Sequence, residues 1–273
     1  MSCKGLVSFL DSQKFEFPFV VKPDIGKMGL MFRRICSLDD LLSYHHKINC
    51  DYIIQELVSY PLEISVFYYR LPDSDKGHIT GFLRKDFLEV TGDGRSTLAE
   101  LIANYPRVQF KLREMRAKHK DNLHIVVPAG EKYCLSPALN LSRGGKLVSL
   151  EHEKDEQLLR VFDYLSHYAG PFYFGRYDIK CNSIEELRQG KHFSILEFNG
   201  SGAEPHHVYG NGNTLWEACS ILVAHWKVLC DISRLNHRAG VPYWTFMQGW
   251  QFLMNTARHL RRLKQLDIET PHN

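Results

Sequence analysis

A lysine near the start of the chain ends an apolar run and is followed by a loop that contains glycine. Residues 19–23 read Phe-Val-Val-Lys-Pro, and Gly26 and Gly29 lie in the loop after Lys22. A polyphosphate needs a fixed cation and glycines that let backbone N–H groups approach its oxygens. The pattern indicates a phosphate-binding loop, although on its own an ordinary strand end with a glycine turn explains it equally well.

A second group of polar residues ends two apolar runs much later in the chain. Arg176 and Asp178 close one run, and Glu197 and Asn199 close the next. Residues two apart on a strand project from the same face, so the members of each pair lie side by side. Two carboxylates and an amide oxygen are ligands that Mg²⁺ accepts. The sequence predicts a magnesium site here, and the alternative is a set of solvated acids at strand ends.

The elements that position these residues mix strands and helices along the whole chain, which is typical of an α+β fold. Ser37 with Asp40, and Thr97 with Glu100, predict helix starts, because each pair places an N-cap residue three positions before an acid of the first turn. Strands are predicted at 17–22, 30–35, 51–58, 62–70, 79–90, 172–181 and 193–198, and further helices from residue 153 and over 214–232.

Composition excludes several classes of protein. Lysine and arginine number 34 against 31 acidic residues, a net charge of +3, so no basic surface for nucleic acid is predicted. The seven cysteines form no Cys-x-x-Cys pair, which argues against a disulfide framework or zinc ribbon and favours the cytoplasm. Residues 1–10 have the pattern of neither a signal peptide nor a membrane-spanning helix.

Taken together, the lysine strand with its glycine loop, the Gly-Arg-Tyr-Asp motif at 175–178 and the Glu-Phe-Asn motif at 197–199 resemble the ATP-grasp superfamily of carboxylate-amine ligases. Residues 92–97 and 140–145 are similar to segments of cyanophycin synthetase and of ligases that build glutathione, and 175–178 is similar to D-alanine:D-alanine ligase. The resemblance implies an ATP-grasp fold, in which two α+β subdomains hold ATP between them, with a C-terminal helical extension. The expected division is a small lid at 1–55, a larger subdomain with the metal site at 56–235 and a helical tail at 236–273.

The resemblance also implies a reaction. ATP and two Mg²⁺ ions would activate a small-molecule or peptide carboxylate as an acyl phosphate, and an amine would displace the phosphate to form an amide. Two alternatives stay open. One is an ATP-binding pseudoenzyme or regulatory module, and the other is a small-molecule kinase that uses the same metal site.

The same resemblance assigns roles to individual residues. Lys85, Arg143 and Arg176 would be the catalytic cations, and the arginines could grip phosphate oxygens in pairs. For these cations and for Glu63, a plain surface or ion-pair role is the alternative. The nucleotide ligands would be Lys22, Gly26, Gly29, Gln55, Glu56, Leu57, Val58, Glu63 and Asn140, and the metal ligands Asp178, Glu197 and Asn199.

The chain departs from the superfamily pattern at two places. An upstream ATP-binding lysine and an N-terminal α/β domain have no counterpart before Lys22, so a missing domain or a partner is expected. After Asn199, residues 200–209 replace the usual Pro-Gly turn, which predicts a different acceptor. Glu204 and His206 could orient or deprotonate the incoming amine, and a turn-capping role of the histidine pair 206–207 is the alternative.

Residues 243–264 lie outside the superfamily pattern. Met247, Trp250 and Met254 recur at helical spacing and are followed by Arg258, Arg261, Arg262 and Lys264. An amphipathic helix of this kind usually docks on its own protein. The alternative is weak contact with a membrane surface.

Overall fold

The fold is taken from a computed structural model, which describes residues 3–105, 112–136, 145–210 and 212–269. Helices and antiparallel sheets are mixed, so the predicted α+β class is confirmed. The chain divides into two compact units, one formed by Met1–Ser59 with Ala239–Asn273 and the other by Tyr60–Arg238. This division differs from the predicted one, because the segment expected to be a separate tail belongs to the first unit. In the described part of the chain, no helix is long and apolar enough to cross a membrane.

The first unit is built on an antiparallel sheet with the strand order β2-β1-β3. Its core is apolar, with Phe19, Val21, Met31, Leu41 and Leu263 all at most 1% exposed. The element bounds are α1 Cys3–Gln13, β1 Phe19–Pro23, β2 Arg33–Ile35, α2 Leu38–Lys47, β3 Tyr52–Glu56 and, from the far end of the chain, α9 Phe246–Glu269.

The second unit contains the main sheet, in the strand order β10-β9-β4-β5-β8, with every neighbouring pair antiparallel. Strands β6 and β7 form a separate two-stranded antiparallel sheet. The bounds are β4 Leu62–Tyr69, β5 His78–Asp86, β6 Leu88–Thr91, α3 Leu98–Asn104, α4 Leu112–Lys118, β7 Lys132–Ser136, β8 Lys146–Ser149, α5 Glu156–Tyr168, β9 Phe174–Cys181, α6 Ile184–Arg188, β10 Phe193–Asn199, α7 His207–Gly210 and α8 Leu215–Arg238.

One face of the main sheet forms the core of the second unit. Ile64 and Val66 of β4, Phe82 of β5 and Ile179 of β9 pack with Phe162 of α5, and each is fully buried. Removing such a side chain from water contributes about 1.5 to 3 kcal/mol. Since side chains alternate across a strand, the residues between these positions point to the opposite face. That face carries the candidate site.

Local signals in the sequence set several element boundaries. The Ser37 hydroxyl accepts a hydrogen bond from Asp40 N at 3.2 Å, so the predicted N-cap of α2 is confirmed. Thr97 and Glu100 form the predicted capping box at the start of α3.

Two predicted strands differ from the observed ones by more than two residues at one end. The strand predicted at 30–35 begins only at Arg33, because Met31 takes a left-handed backbone conformation (φ 56°) that a strand cannot contain. The strand predicted at 79–90 is two strands, since the chain leaves the main sheet at Phe87 and β6 pairs with β7. Continuous alternation of apolar residues concealed this change of sheet.

Candidate active site

Antiparallel register brings charged residues together on the second face of the main sheet. Glu63 of β4 lies opposite Lys85 of β5, and Ser65 of β4 lies opposite Asp178 of β9. Arg176 is two residues before Asp178 on the same strand and therefore shares its face. Strand pairing alone thus brings together Glu63, Lys85 and Asp178, which lie far apart in the sequence.

These residues form a buried network of ion pairs. Lys85 Nζ lies 3.1 Å from Glu63 Oε1 and 3.0 Å from Asp178 Oδ1. Arg176 Nη2 lies 3.2 Å from Asp178 Oδ2. The side chains of Lys85, Asp178 and Arg176 are 9%, 7% and 10% exposed. Charges this well buried are tolerated only when paired, and removing one partner costs about 3 to 5 kcal/mol.

The network keeps Asp178 ionised. Burial alone would raise the pKa of its carboxyl group, but the charges of Lys85 and Arg176, with their hydrogen bonds, outweigh burial and hold the pKa below its usual value. A carboxylate that stays charged while shielded from water is suited to hold a cation or to position cationic side chains.

A β-bulge aligns β10 with this network. The pairing of β10 with β9 shifts between Ile195 and Glu197, so that Glu197 lies opposite Asp178 and Asn199 opposite Arg176. Leu196 is the extra residue. Bulges re-aim side chains in this way and are common beside active sites. The sequence spacing of Glu197 and Asn199 predicted their shared face, but not the bulge that places them against Asp178.

The Asn199 amide lies between the two carboxylates and the guanidinium group. In one orientation of the amide, Nδ2 donates to Asp178 Oδ2 at 3.3 Å. In the other orientation, which satisfies both amide atoms, Nδ2 donates to Glu197 Oε1 and Oδ1 accepts from Arg176 Nη2, each at 3.2 Å. The side chains of Asp178, Glu197 and Asn199 therefore lie close together, and their role as metal ligands remains a prediction.

The donor chemistry of this region suits a hard cation such as Mg²⁺, which prefers carboxylate and amide oxygens and needs few protein ligands when phosphates supply the rest. Within the described ranges, no group of three or more His, Cys, Asp or Glu side chains could hold a metal ion.

Arg176 links β9 to the loop that follows β10. Its Nη1 donates to the carbonyl oxygen of Glu204 at 2.9 Å. At Gly175, immediately before it, a Cβ atom would lie 2.2 Å from the carbonyl oxygen of Asn199. Only glycine permits β9 and β10 to approach this closely. Gly175 therefore allows Asn199 to lie next to Arg176.

Two neutral histidines follow Glu204: His206 is half-buried, and His207, at the start of α7, is buried. Burial, followed by the charges of Arg176 and Lys85, lowers the pKa of His206 to about 4. Burial and the neighbouring His225 likewise lower the pKa of His207 to about 4. Nδ1 of each ring is shielded from solvent and has no hydrogen-bond partner among the described residues. The predicted orienting or proton-accepting role of Glu204 and His206 remains a prediction.

Two cavities open near the site in the second unit. One, of about 600 Å³, borders Lys85 and has a basic wall formed by Arg84, Lys132, Lys146 and Lys180. The other, of about 310 Å³, lies beside Glu204 and has an apolar lining of Phe174, Leu222, Trp226 and Leu229. The basic wall was missed from the sequence, although Lys180 stands two residues after Asp178, and the period of two places it on the same face.

The remaining predicted residues lie in the first unit or outside the described chain. Lys22 is on β1, opposite Ile53 of β3. Asn140 and Arg143 fall outside the described residues, so nothing is said of their positions. Gly26 and Gly29 lie in the β1–β2 loop, Gln55 and Glu56 end β3, and Leu57 and Val58 follow it.

The chain matches neither a known protein-family profile nor a curated protein sequence. Solved structures that resemble it include a bifunctional glutathione synthetase from Pasteurella multocida, with 15% identity, 81% of this chain covered and a TM-score of 0.48. A D-alanine–D-alanine ligase from Bacillus anthracis has 12% identity, 85% coverage and a TM-score of 0.43. The VanG D-Ala:D-Ser ligase from Enterococcus faecalis has 10%, 82% and 0.41.

All three are ATP-grasp ligases. The chain spans 32%, 58% and 53% of the lengths of these three proteins. Likenesses with TM-scores below 0.5 and such low identities assign neither an activity nor a substrate to this chain.

Proposed function

We propose that this chain carries the catalytic site of an ATP-dependent carboxylate-amine ligase of the ATP-grasp type. The observation that carries the proposal is the buried network in which Lys85 and Arg176 hold Asp178 beside Asn199. Lys85 also pairs with Glu63, so the two cations and the two carboxylates balance one another, and Glu197 and Asn199 add further oxygen atoms at the same place. A buried cluster of balanced charges with additional oxygen donors suits a ligand that carries both a cation and phosphate oxygens.

Mg-ATP is such a ligand. Asp178, Glu197 and Asn199 would hold Mg²⁺, which when bound neutralises charge on the phosphate oxygens. Lys85 and Arg176 would then face the transferred phosphoryl group, where a guanidinium group can bind two oxygens at once. Lys22, Gly26 and Gly29 are the proposed phosphate ligands of the first unit, and Gln55 to Val58, with Glu63, the proposed ligands of adenosine.

The proposed reaction has two steps. A carboxylate oxygen attacks the γ-phosphorus of ATP, the bond to the β-phosphate oxygen breaks, and ADP leaves. The amine then attacks the carbonyl carbon of the acyl phosphate, and phosphate leaves with the oxygen that had belonged to the carboxylate. Both steps release a negatively charged oxygen, and Lys85 and Arg176 stabilise that charge. The amine loses one proton on forming the amide, and Glu204 or His206, in the segment whose backbone accepts a hydrogen bond from Arg176, would accept that proton.

Product analysis tests the proposal. The chain is incubated with ATP, Mg²⁺ and pools of carboxylates and amines, and ADP and new amides are measured by mass spectrometry. Amide together with ADP supports a ligase. A phosphorylated small molecule would support a kinase instead, and bound but unconsumed ATP a binding module.

A matched pair of variants sharpens the assay. Asp178→Asn removes the charge without changing the shape of the side chain, and it should abolish ADP formation. Lys76→Met neutralises a lysine that pairs with Glu156 and whose side chain is 62% exposed. This variant should leave the rate of ADP formation unchanged. If Asp178→Asn retained full activity, the assignment of the site would be wrong.

A further inference from the structure

The last helix of the chain has two halves with different surroundings. In the C-terminal half of α9, Leu263 is fully buried in the core of the first unit and Leu260 and Leu266 pack against that core. Asp267 binds Arg33 at 2.9 Å, with both side chains nearly buried. The apolar side chains of the N-terminal half are much more exposed: Phe246 is 83% exposed and Leu253 is 62% exposed.

One face of α9 points away from that core along its whole length. Met247, Trp250, Met254, Arg258 and Arg261 follow one another at intervals of three and four residues, so they form a single stripe. This stripe lies opposite Leu263. Its first three members are 60%, 53% and 43% exposed, and the two arginines are exposed as well.

The stripe is therefore apolar at one end and cationic at the other. Residues 239–257 contain no charged side chain, and Tyr243 and Trp244, just before α9, are 53% and 64% exposed. Arg262 and Lys264 add to the charge at the basic end. Single exposed apolar residues are ordinary, but here Trp244 packs edge-on against Phe252 and Phe246 stacks on Trp250, and such a group of exposed apolar side chains marks a binding site.

We propose that this stripe, from Met247 to Arg261, binds the surface of an anionic lipid bilayer. Tryptophan, tyrosine and phenylalanine are the side chains that settle at the boundary between headgroups and acyl chains. The adjoining arginines match the negative phosphates of the headgroups. Helix α9 would be tilted against the surface, so that Trp250 and its apolar neighbours insert while Arg258 and Arg261 stay at the level of the headgroups.

A second copy of the chain fits the stripe less well. A parallel pair of α9 helices would bring Arg258 and Arg261 of both copies together, and like charges repel. An antiparallel pair would lay the arginines of one copy over Trp250 of the other and strip water from them without a carboxylate to compensate. Only an occupant that is apolar at one end and anionic at the other matches both ends.

Vesicle binding by the full chain tests the proposal. Vesicles of phosphatidylcholine alone are compared with vesicles that contain about one-third phosphatidylglycerol, using co-sedimentation and the tryptophan emission shift. We expect binding to the anionic vesicles, with a blue shift, and little binding to the neutral ones. Binding should weaken as salt is raised, because salt screens the arginine–phosphate attraction.

Three variants separate the two ends of the stripe. Trp250→Glu should abolish insertion and the blue shift. The double variant Arg258→Ser/Arg261→Ser should weaken anionic binding about 30-fold and leave neutral binding unchanged, since each arginine near such a surface contributes a factor of about five. The matched control Arg160→Ser/Lys191→Ser, which removes two exposed cations of the second unit, should bind like the unaltered chain.

Several results would overturn the proposal. These are no binding to either kind of vesicle, equal binding to both kinds, or unchanged binding by Trp250→Glu. A concentration-dependent dimer that Trp250→Glu abolishes, without vesicle binding, would show that a second copy occupies the stripe. The stripe variants replace exposed side chains on the outward face of α9, and the control replaces exposed side chains of the second unit, so unchanged circular dichroism and melting temperature confirm that each fold is intact. The outcome is independent of ligase activity.

Discussion

Lys85 is the residue on which the charge balance of the site depends. It joins two buried carboxylates, Glu63 and Asp178, that belong to different strands. With the lysine present the cluster is compact and paired. Without it, two negative charges would face each other in a region with little water.

We therefore expect Lys85→Met to destabilise the second unit by about 3 to 5 kcal/mol. Methionine fills the same volume but leaves Glu63 without its cation and Asp178 with Arg176 alone. Urea denaturation followed by circular dichroism measures the change. Lys76→Met, which loses an exposed pair with Glu156, should shift stability by less than about 1 kcal/mol. Equal effects of the two substitutions would contradict a buried network.

His207 gives the stability of the second unit a pH dependence. Its pKa is about 4 in the folded chain, because burial disfavours the charged ring, against an ordinary value of about 6.5. Between these values the unfolded chain binds a proton that the folded chain does not. Stability should therefore be complete above pH 6.5 and fall as the pH drops from 6.5 toward 4.

Urea unfolding at a series of pH values tests this dependence. Each unit by which the pKa is lowered corresponds to about 1.4 kcal/mol. His207→Gln, which cannot titrate, should reduce the slope of the curve between pH 4 and 6.5 without removing it, because burial lowers the pKa of His206 to about 4 as well. The exposed His124→Gln should leave the slope unchanged. A curve that is the same for His207→Gln and the unaltered chain would exclude His207 as the source.

At the scale of elements, Gly175 sets the approach of β9 to β10. Gly175→Ala would place a Cβ atom 2.2 Å from Asn199 O, so the strands must separate and Asn199 must leave Arg176. We expect Mg-dependent nucleotide binding, measured by calorimetry, to weaken at least about 10-fold, since small misplacements of site groups have large effects. Gly202→Ala, which meets nothing within 4 Å, should bind normally. Normal binding by Gly175→Ala would mean that this strand approach is unimportant.

Period-two patterns in the sequence account for much of the site. They placed Arg176 with Asp178, and Glu197 with Asn199, on shared strand faces, and the side-chain contacts agree. They could not reveal the bulge at Leu196 or the change of sheet at Phe87, because both depend on pairing between distant strands. The meeting of Glu63, Lys85 and Asp178 is likewise a consequence of register, which no local pattern encodes.

At the scale of the whole molecule, the two ends of the chain fold together. Helical periodicity predicted α9, but its partner was not predictable, because Leu263 and Asp267 pack against residues more than 200 positions earlier. The first unit therefore depends on a segment that looks like an appendage in the sequence.

Leu263→Ala measures that dependence. The side chain is fully buried in the core of the first unit, so its truncation should cost about 2 to 5 kcal/mol. Hydrogen exchange of the amides of β1 and β3 should increase, while exchange in β4 and β9 of the second unit should not. Leu253→Ala, at a position 62% exposed, should change neither. Increased exchange in both units, or in neither, would contradict the observed division of the chain.

The proposed ligase reaction transfers one oxygen atom from the carboxylate to the phosphate product, and isotope labelling can follow this atom. Once a carboxylate and amine pair that stimulates ADP release is known, the carboxylate is labelled with ¹⁸O and the phosphate product is analysed by mass spectrometry. An acyl phosphate intermediate predicts one ¹⁸O atom in each phosphate released, in proportion to the amide formed. Phosphate without ¹⁸O, alongside ADP, would show that the carboxylate is never phosphorylated and would contradict the account.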